Sequence, residues 1–168
     1  VYGYGDHPWS IISTLVRDLR QDKKVALSAC LHDWNFMYID DAVRAVVLLC
    51  CRFLEKQGET SERENAASGR QEPPEGLIVN IASRDTRQLK SFVEEIHQIV
   101  GGRGELEYGA FVQAKEGALS VRPDVERLSA LLAGWEEKYT FRGGILEMIK
   151  KEETSAGRQA EQGEIPAR

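Results

Sequence analysis

Residues 34–50, WNFMYIDDAVRAVVLLC, constrain the fold most strongly because the hydrophobic periodicity changes within them. From 34 to 39 the large side chains alternate between two faces, which predicts a β-strand. From Ala42 onward, apolar residues recur at helical spacing to about Lys56, which predicts a mostly buried helix. The sequence therefore predicts a strand that leads almost directly into a helix.

Asp40 and Asp41 stand at the junction of that strand and that helix. Asp41 falls where an N-cap is expected, and its carboxylate there would accept hydrogen bonds from the amides of the first turn. A catalytic or metal-binding carboxylate is the alternative, but no second acidic pair at a useful spacing supports it. We therefore predict that Asp41 caps the helix.

Composition limits the class of protein. A chain of 168 residues with 42% hydrophobic content can form one ordinary domain with a core. Its net charge of -5 argues against a general nucleic-acid surface but is compatible with a small anionic ligand. The three cysteines form no disulfide framework, and Cys30 with His32 has no second ligand pair for zinc. We expect a cytoplasmic protein without a membrane segment or signal peptide.

The rest of the chain alternates between predicted helices and strands. Polar composition predicts a flexible insertion at 57–76 and a disordered tail at 152–168. The remaining predictions are a helix from near Pro8, strands at 25–28, 77–83 and 105–108, a helix from Thr86 to Gly101, a helix capped by Asp124, and a last helix at 140–151.

Five motifs occur in an order that resembles a known family. They are VYGYGD, WNFMYIDDAVRAV, VNIAS, RPDVERL and GWEEKYTFRGGI. In this order they resemble the C-terminal half of NAD-dependent epimerases and dehydratases, the extended branch of the short-chain dehydrogenase/reductase family that acts on nucleotide sugars. The resemblance covers 1–151 outside the insertion. It implies an α/β fold, the C-terminal part of an extended Rossmann-type enzyme, with the N-terminal Rossmann core missing from this sequence.

The resemblance also implies a function. The chain would contribute the nucleotide-sugar-binding lobe of an NAD(P)-dependent epimerase or dehydratase, with a nucleotide-diphosphate sugar as its partner. It has neither the family's G-x-x-G-x-x-G loop nor a Tyr-x-x-x-Lys pair. NAD or NADP would therefore be bound by the missing half, and the chain alone is expected to be inactive. The full-length enzyme is expected to form a homodimer. The alternative is a catalytically inactive binding or interaction module derived from the same family.

The resemblance places the substrate site at Arg122, with Tyr4, His7, Asn80 and Ser83 as weaker candidates. Family members often place an arginine before the Pro-Asp turn against the diphosphate, and a guanidinium can donate two parallel hydrogen bonds to phosphate oxygens. The alternative is that Arg122 pairs with Glu126 or another acid, and Arg127 is a less favoured candidate for the diphosphate. Trp34 stands where many members have a phosphate-binding arginine, so that role has no equivalent here. No catalytic, cofactor-binding or metal-binding residue is expected in this chain.

Overall fold

The structure is a computed structural model that describes residues 1–64, 78–110 and 120–163. Within these ranges the elements are α1 (Ile11–Arg20), β1 (Lys24–Ala26), β2 (Asp33–Asn35), α2 (Ile39–Glu64), β3 (Thr86–Gln88), α3 (Leu89–Ile99), β4 (Glu105–Glu107), α4 (Glu126–Leu131) and α5 (Phe141–Gly163). The predicted α/β class is confirmed.

The described strands form two small two-stranded sheets. β1 pairs with β4 in parallel, with Val25 opposite Leu106. β2 pairs with β3 in an antiparallel arrangement, with Trp34 opposite Arg87. A single parallel bridge joins Tyr2 to Tyr38 at the start of α2. These short pairings position the loops but do not build the core.

The core lies among α1, α3 and α5. Each helix has one apolar face, and these faces meet because apolar side chains at helical spacing must be buried together. α1 contributes Leu15 and Leu19, which are fully buried, and Ser10 caps its N-terminus by accepting a hydrogen bond from the amide of Ser13. At the centre is a group of edge-to-face and tilted aromatic rings, which are Tyr2, Phe36, Tyr38, Phe92 and Phe141.

A second, smaller cluster lies under α2 and α4. Its buried members are Ala45 and Leu49 from α2 and Leu128 and Leu132 from the α4 region, with Trp135 packed against them. α4 starts after Asp124, whose carboxylate accepts a hydrogen bond from the amide of Glu126 at 2.9 Å. The N-cap residue of α4 is Val125, which makes no side-chain cap hydrogen bond, so the predicted cap by Asp124 is wrong and Asp124 lies one residue before the cap position.

The prediction that Asp41 caps α2 is wrong, because its carboxylate bonds amides of a distant loop. α2 begins at Ile39, so Asp41 lies inside the first turn rather than before it. Its carboxylate accepts hydrogen bonds from the amides of Lys138 and Tyr139, at 3.0 and 2.9 Å, and pairs with Arg44. The residue is structural, as expected, but it fixes a distant loop instead of capping its own helix.

The strand predicted at 77–83 is not formed at 78–83, and residue 77 lies outside the described residues. Hydrogen bonds from side chains, rather than pairing with another strand, hold this segment. Arg127 donates to the carbonyl of Ile78 at 2.8 Å. The side-chain amide of Asn35 donates to the carbonyl of Ser83 and accepts from the amide of Ser83. The apolar run therefore packs into the second cluster without pairing as a sheet.

Two helices are longer than predicted. α2 continues to Glu64, and α5 continues to Gly163 rather than ending at Lys151. The predictions of irregular structure are therefore wrong for 57–64 and 152–163, while 65–77 and 164–168 lie outside the described residues. α5 gains support beyond Lys151 because Arg20 of α1 forms ion pairs with Glu152 and Glu153. The mobility of both segments stays a prediction.

Candidate functional site

Arg122 lies on the surface beside β2. Its side chain is 76% exposed, and its Nε donates to Asp33 Oδ2 at 2.6 Å. The chain around it runs along the strand, because the amide of Val121 donates to the Asp33 carbonyl at 2.9 Å and Ser120 Oγ accepts from the Asp33 amide at 3.0 Å. Arg122 is thus paired with an acid, though with Asp33 instead of Glu126. Its exposure leaves the outer edge of the guanidinium open to a ligand.

Asn80 and Ser83 are held by hydrogen bonds within the protein. Asn80 Nδ2 donates to the Asp124 carbonyl at 3.1 Å, and the buried Ser83 hydroxyl accepts from the amide of Asp85 at 3.0 Å. A polar side chain that already satisfies local backbone groups is less available to a ligand. Of these two candidates, the exposed Asn80 is the more accessible.

Asn35 organises this region, although sequence reasoning missed it. Its amide donates to the Ser83 carbonyl at 2.7 Å and to Thr86 Oγ1 at 2.9 Å, and its Oδ1 accepts from the Ser83 amide at 3.1 Å. The signal for this role is its position in an otherwise aromatic and apolar strand, because a half-buried amide there needs partners. Asn35 therefore sets the path of the segment that carries Asn80 and Ser83.

Tyr4 and His7 lie elsewhere, in the loop before α1. Both are exposed, and the His7 ring lies 3.4 Å from the Trp9 ring between centroids. Tyr4 lines a cavity of about 590 Å³ together with residues of α1 and α5, among them Arg17, Arg20 and Glu152. Charges in this cavity are largely neutralised, since Arg17 pairs with Asp18 and Arg20 pairs with Glu152.

The five predicted residues thus form two groups. Arg122, Asn80 and Ser83 are anchored to β2 or to the turn before α4, whereas Tyr4 and His7 belong to the loop before α1. No hydrogen bond or ion pair found among the described residues joins the two groups. A single ligand that touched both would have to extend across the surface between them.

A tyrosine and a lysine meet in the structure although they are far apart in sequence. Lys151 Nζ lies 3.1 Å from Tyr38 OH and 3.1 Å from Asp40 Oδ2. Burial raises the pKa of Tyr38, an effect that outweighs the opposing influence of Lys151. A raised pKa is the wrong direction for a tyrosine that must act as a base near neutral pH. The contact links the start of α2 to α5.

Gly3 and Gly144 are positions where neighbouring side chains of this chain fill the space of a Cβ. A Cβ on Gly3 would overlap Ile39 Cγ2, and a Cβ on Gly144 would overlap the Tyr2 hydroxyl. The missing side chains thus make room for other residues of this chain, whereas a dinucleotide loop uses glycine to admit phosphates to a helix N-terminus.

Comparison with known proteins places this geometry in a class of fold. The dTDP-glucose 4,6-dehydratase of Bacillus anthracis, solved with NAD, matches with a TM-score of 0.64 at 19% identity, over 93% of this chain and 43% of that chain. The UDP-glucuronic acid 4-epimerase of Bacillus cereus, solved with UDP-glucuronic acid and NAD, matches with a TM-score of 0.65 at 16% identity, over 92% and 43%. The UDP-glucose 4-epimerase of Thermotoga maritima, solved with UDP-glucose, gives 0.64 at 17% identity, over 92% and 44%.

The chain has the fold of the C-terminal part of NAD-dependent epimerases and dehydratases, the extended branch of the short-chain dehydrogenase/reductase enzymes. The resemblance carried by the five motifs is thereby confirmed for the fold. The chain spans less than half the length of these three structures. No protein-family model matches it, and no curated protein matches it in sequence.

Among the helices of the described residues, none is both long and apolar enough to cross a membrane.

Proposed function

We propose that this chain is the nucleotide-sugar-binding lobe of an NAD(P)-dependent epimerase or dehydratase. The observation that carries the proposal is the shared fold over 92–93% of the chain with enzymes solved in complex with NAD, UDP-sugars or both. The ordered motifs support it independently, because their order is a property of the amino-acid sequence and does not depend on the fold comparison. In enzymes of this class a hydride leaves the sugar for the nicotinamide and later returns. This lobe would hold the nucleoside diphosphate during those steps.

Arg122 is the residue proposed to contact the diphosphate. Its guanidinium is exposed, lies at the edge of β2 and keeps its charge under all ordinary conditions. Asp33 holds it in place through both Nε and Nη2, which leaves the remaining N–H groups of the guanidinium to donate to phosphate oxygens. Asp33 would then fix the orientation of the Arg122 guanidinium for contact with the ligand.

The other candidates have smaller proposed roles. Asn80 would donate from an exposed amide close to Asp124, and Ser83 would act mainly through the path of its backbone. Tyr4 and His7 would contact a distant part of the ligand or none of it, because they lie in the separate loop before α1. The full-length enzyme is proposed to be a cytoplasmic homodimer with no nucleic-acid partner.

The cofactor is proposed to belong to the half that this sequence does not include. Because the sequence has neither a G-x-x-G-x-x-G loop nor a Tyr-x-x-x-Lys pair, the isolated chain should neither bind NAD tightly nor turn over a nucleotide sugar. Isothermal calorimetry of the 168-residue chain with NAD tests this directly. Stoichiometric binding to the chain alone would show that a cofactor site has been overlooked.

The second candidate function is a catalytically inactive binding module. It is favoured by Trp34, which stands where many family members have an arginine for the phosphate. The two functions differ in turnover. The longest natural polypeptide that contains this sequence should convert a UDP- or dTDP-sugar in the presence of NAD(P) if the chain serves an enzyme, and should only bind one if it is a module.

The decisive experiment measures nucleotide-sugar affinity in that longest natural polypeptide. Replacing Arg122 by alanine should weaken binding by about 1.5–3 kcal/mol, or roughly 10- to 150-fold in Kd, the range for a hydrogen bond to a charged group. Arg103→Ala is the control, because Arg103 is an exposed arginine in the loop between α3 and β4. It should leave affinity within about two-fold. If Arg122→Ala only lowers stability and leaves affinity intact, Arg122 is structural.

A further inference from the structure

The outer face of α5 is mainly cationic from residue 147 to residue 158. Six polar side chains lie on it in two neighbouring rows, because they recur every four residues and about 3.6 residues make one turn. One row consists of Lys150, Thr154 and Arg158, and the other consists of Glu147, Lys151 and Ser155. The helix therefore presents three cations, two hydroxyl groups and one carboxylate on the same side.

These six side chains line one cleft together with Tyr4 of the loop before α1, and we call it the α5 cleft. Its volume is about 350 Å³. Sites for small molecules have volumes of about 300–1,000 Å³ and combine apolar surface with a few charged or polar groups. Tyr4, which is 47% exposed, supplies an aromatic ring to this cleft. The α5 cleft is thus large enough for a small ligand.

Two of the three cations in the α5 cleft keep their charge available. Lys151 is already used, because its Nζ lies 3.1 Å from Asp40 Oδ2 and 3.1 Å from Tyr38 OH. Lys150 and Arg158 are exposed and form no ion pair with any side chain that the structure describes. An anion can therefore approach these two residues without displacing a carboxylate of the described chain.

The cavity of about 590 Å³ that shares Tyr4 with the α5 cleft has a different balance of charge. There, Arg17 pairs with Asp18 and Arg20 pairs with Glu152. An anion that entered this cavity would have to replace a carboxylate in an existing pair, which the α5 cleft does not require. Because the whole chain has a net charge of -5, the positive charge of the α5 cleft results from the placement of residues on one helix and not from composition.

The positions of Lys150 and Arg158 suit an anion with two linked phosphates. Their Cα atoms are separated by about 12 Å along the helix axis, so the two long side chains can approach one ligand from opposite ends. An ammonium group binds phosphate as a point charge, and a guanidinium donates two parallel hydrogen bonds to phosphate oxygens. A diphosphate can place one phosphate near each cation. Glu147, one turn before Lys150, repels an anion at that end and favours a ligand placed towards Arg158.

The two hydroxyl groups of the α5 cleft differ in what they offer to a ligand. Thr154 Oγ1 donates to the Lys150 carbonyl at 2.8 Å, so Ser155 in the neighbouring row is the hydroxyl left to donate to phosphate. We propose that the α5 cleft binds a small ligand through a diphosphate group, with Lys150 and Arg158 as its cationic contacts and Ser155 as a further donor. This site goes beyond the proposed function, because it does not use Arg122.

Calorimetry with pyrophosphate tests the site in the 168-residue chain that carries Arg122→Ala, a background without the diphosphate contact of the proposed function. In this background, Lys150→Ala and Arg158→Ala should each weaken pyrophosphate binding about three- to ten-fold, and added salt should weaken it further. Arg142→Ala is the charge-matched control, because Arg142 is an exposed arginine of the same helix that does not line the cleft. It should change the affinity less than about two-fold. Inorganic phosphate should bind at least about three-fold more weakly than pyrophosphate, because it is too short to reach both cations.

Absence of pyrophosphate binding in the Arg122→Ala background would overturn the inference and leave the proposed function intact. Equal effects of Lys150→Ala and Arg142→Ala would also overturn it, since they indicate attraction to net charge without a site. UDP separates a nucleotide from a free diphosphate as the ligand. Binding tighter than that of pyrophosphate, lost with Tyr4→Ala, assigns a nucleotide, whereas equal binding assigns the diphosphate group alone.

The longest natural polypeptide shows whether the α5 cleft is open in the natural protein. With Arg122→Ala and an excess of NAD to fill the cofactor site, the Lys150 and Arg142 variants should bind pyrophosphate in the same order as in the 168-residue chain. Loss of the Lys150→Ala effect there would mean that the cleft is covered and would overturn the inference. A retained effect, together with nucleotide-sugar affinity that Arg122→Ala leaves unchanged, would keep the cleft and refute the proposed contact at Arg122.

Discussion

The carboxylate of Asp41 accepts a hydrogen bond from the backbone amide of Tyr139, a residue 98 positions later, at 2.9 Å. The same carboxylate accepts from the amide of Lys138 and from Arg44, and Asp41 is 0% exposed. One buried acid therefore ties the start of α2 to the turn that leads into α5. A buried carboxylate is tolerated only when its charge is paired and its oxygens are hydrogen-bonded, as they are here.

Asp41→Ala should lower the free energy of unfolding by about 2–5 kcal/mol, since it leaves two buried amides and a partly buried guanidinium without their acceptor. This exceeds the cost of losing a simple helix cap, which is about 0.5–2 kcal/mol. Chemical denaturation of both proteins measures the difference. Asp40→Ala is the matched control, because Asp40 is 43% exposed and pairs with Lys151 on the surface, so its loss should cost less than about 1 kcal/mol. Equal effects of the two substitutions would contradict this role.

Alkaline pH should destabilise the protein through Tyr2. Its hydroxyl donates to the Phe141 carbonyl at 2.9 Å, and burial raises the pKa of Tyr2 well above its ordinary value. The folded protein then holds this proton above about pH 10, where the unfolded chain releases it, so the group's stabilising contribution is lost as the pH rises. The expected slope is about 1.4 kcal/mol per pH unit for this group.

Tyr2→Phe should reduce that slope between about pH 10 and pH 12, and should also cost about 1–3 kcal/mol at neutral pH because the Phe141 carbonyl loses its donor. Urea denaturation at several pH values tests both effects. Tyr4→Phe, at an exposed tyrosine two residues away, is the control substitution. The assignment fails if Tyr2→Phe and the unmodified protein lose stability in parallel.

Gly144 in α5 should not tolerate alanine. A Cβ there would overlap the Tyr2 hydroxyl and lie 3.0 Å from Tyr38 Cδ2. Overpacking of this kind should destabilise the protein by about 1–3 kcal/mol. Gly157→Ala in the same helix meets no described atom within 4 Å and should stabilise by up to about 1 kcal/mol through helix propensity. Thermal unfolding measures both effects, and a change of Tm in the same direction for the two variants would refute the packing argument.

Limited trypsin digestion should cut the segment 57–76 first, because its composition cannot supply a buried face, whereas the only internal trypsin site of 152–168, Arg158, lies within α5. The helical ends at Glu64 and Gly163 refine this expectation, since a formed helix resists cleavage. Arg70 should therefore be cut before Arg63. Mass spectrometry of early fragments identifies the sites. Early cleavage at Arg44 or Arg52 would instead mean that the first part of α2 is not part of the folded unit.

Periodicity in the sequence is sufficient for the elements whose partners are local. It predicts α1, α3 and the start of α5 because their apolar residues recur at helical spacing, although α1 begins at Ile11 rather than near Pro8 and Thr86–Gln88 forms β3 before α3 begins at Leu89. β4 is predicted at 105–108 and lies at Glu105–Glu107. The order of the five motifs is also sufficient to predict the α/β fold and the class of enzyme that shares it.

Contacts between distant residues decided the rest. The sequence shows that 77–83 is apolar, but whether it forms a strand depends on a neighbour, and here the Asn35 and Arg127 side chains bond its backbone instead. The partners of Asp41 and Arg122 are 98 and 89 residues away, respectively, and no local pattern identifies them. The sequence by itself determined the apolar faces of α1, α3 and the start of α5. Only the tertiary structure decided what each polar group bonds, because those partners are brought together by packing of the core and not by spacing along the chain.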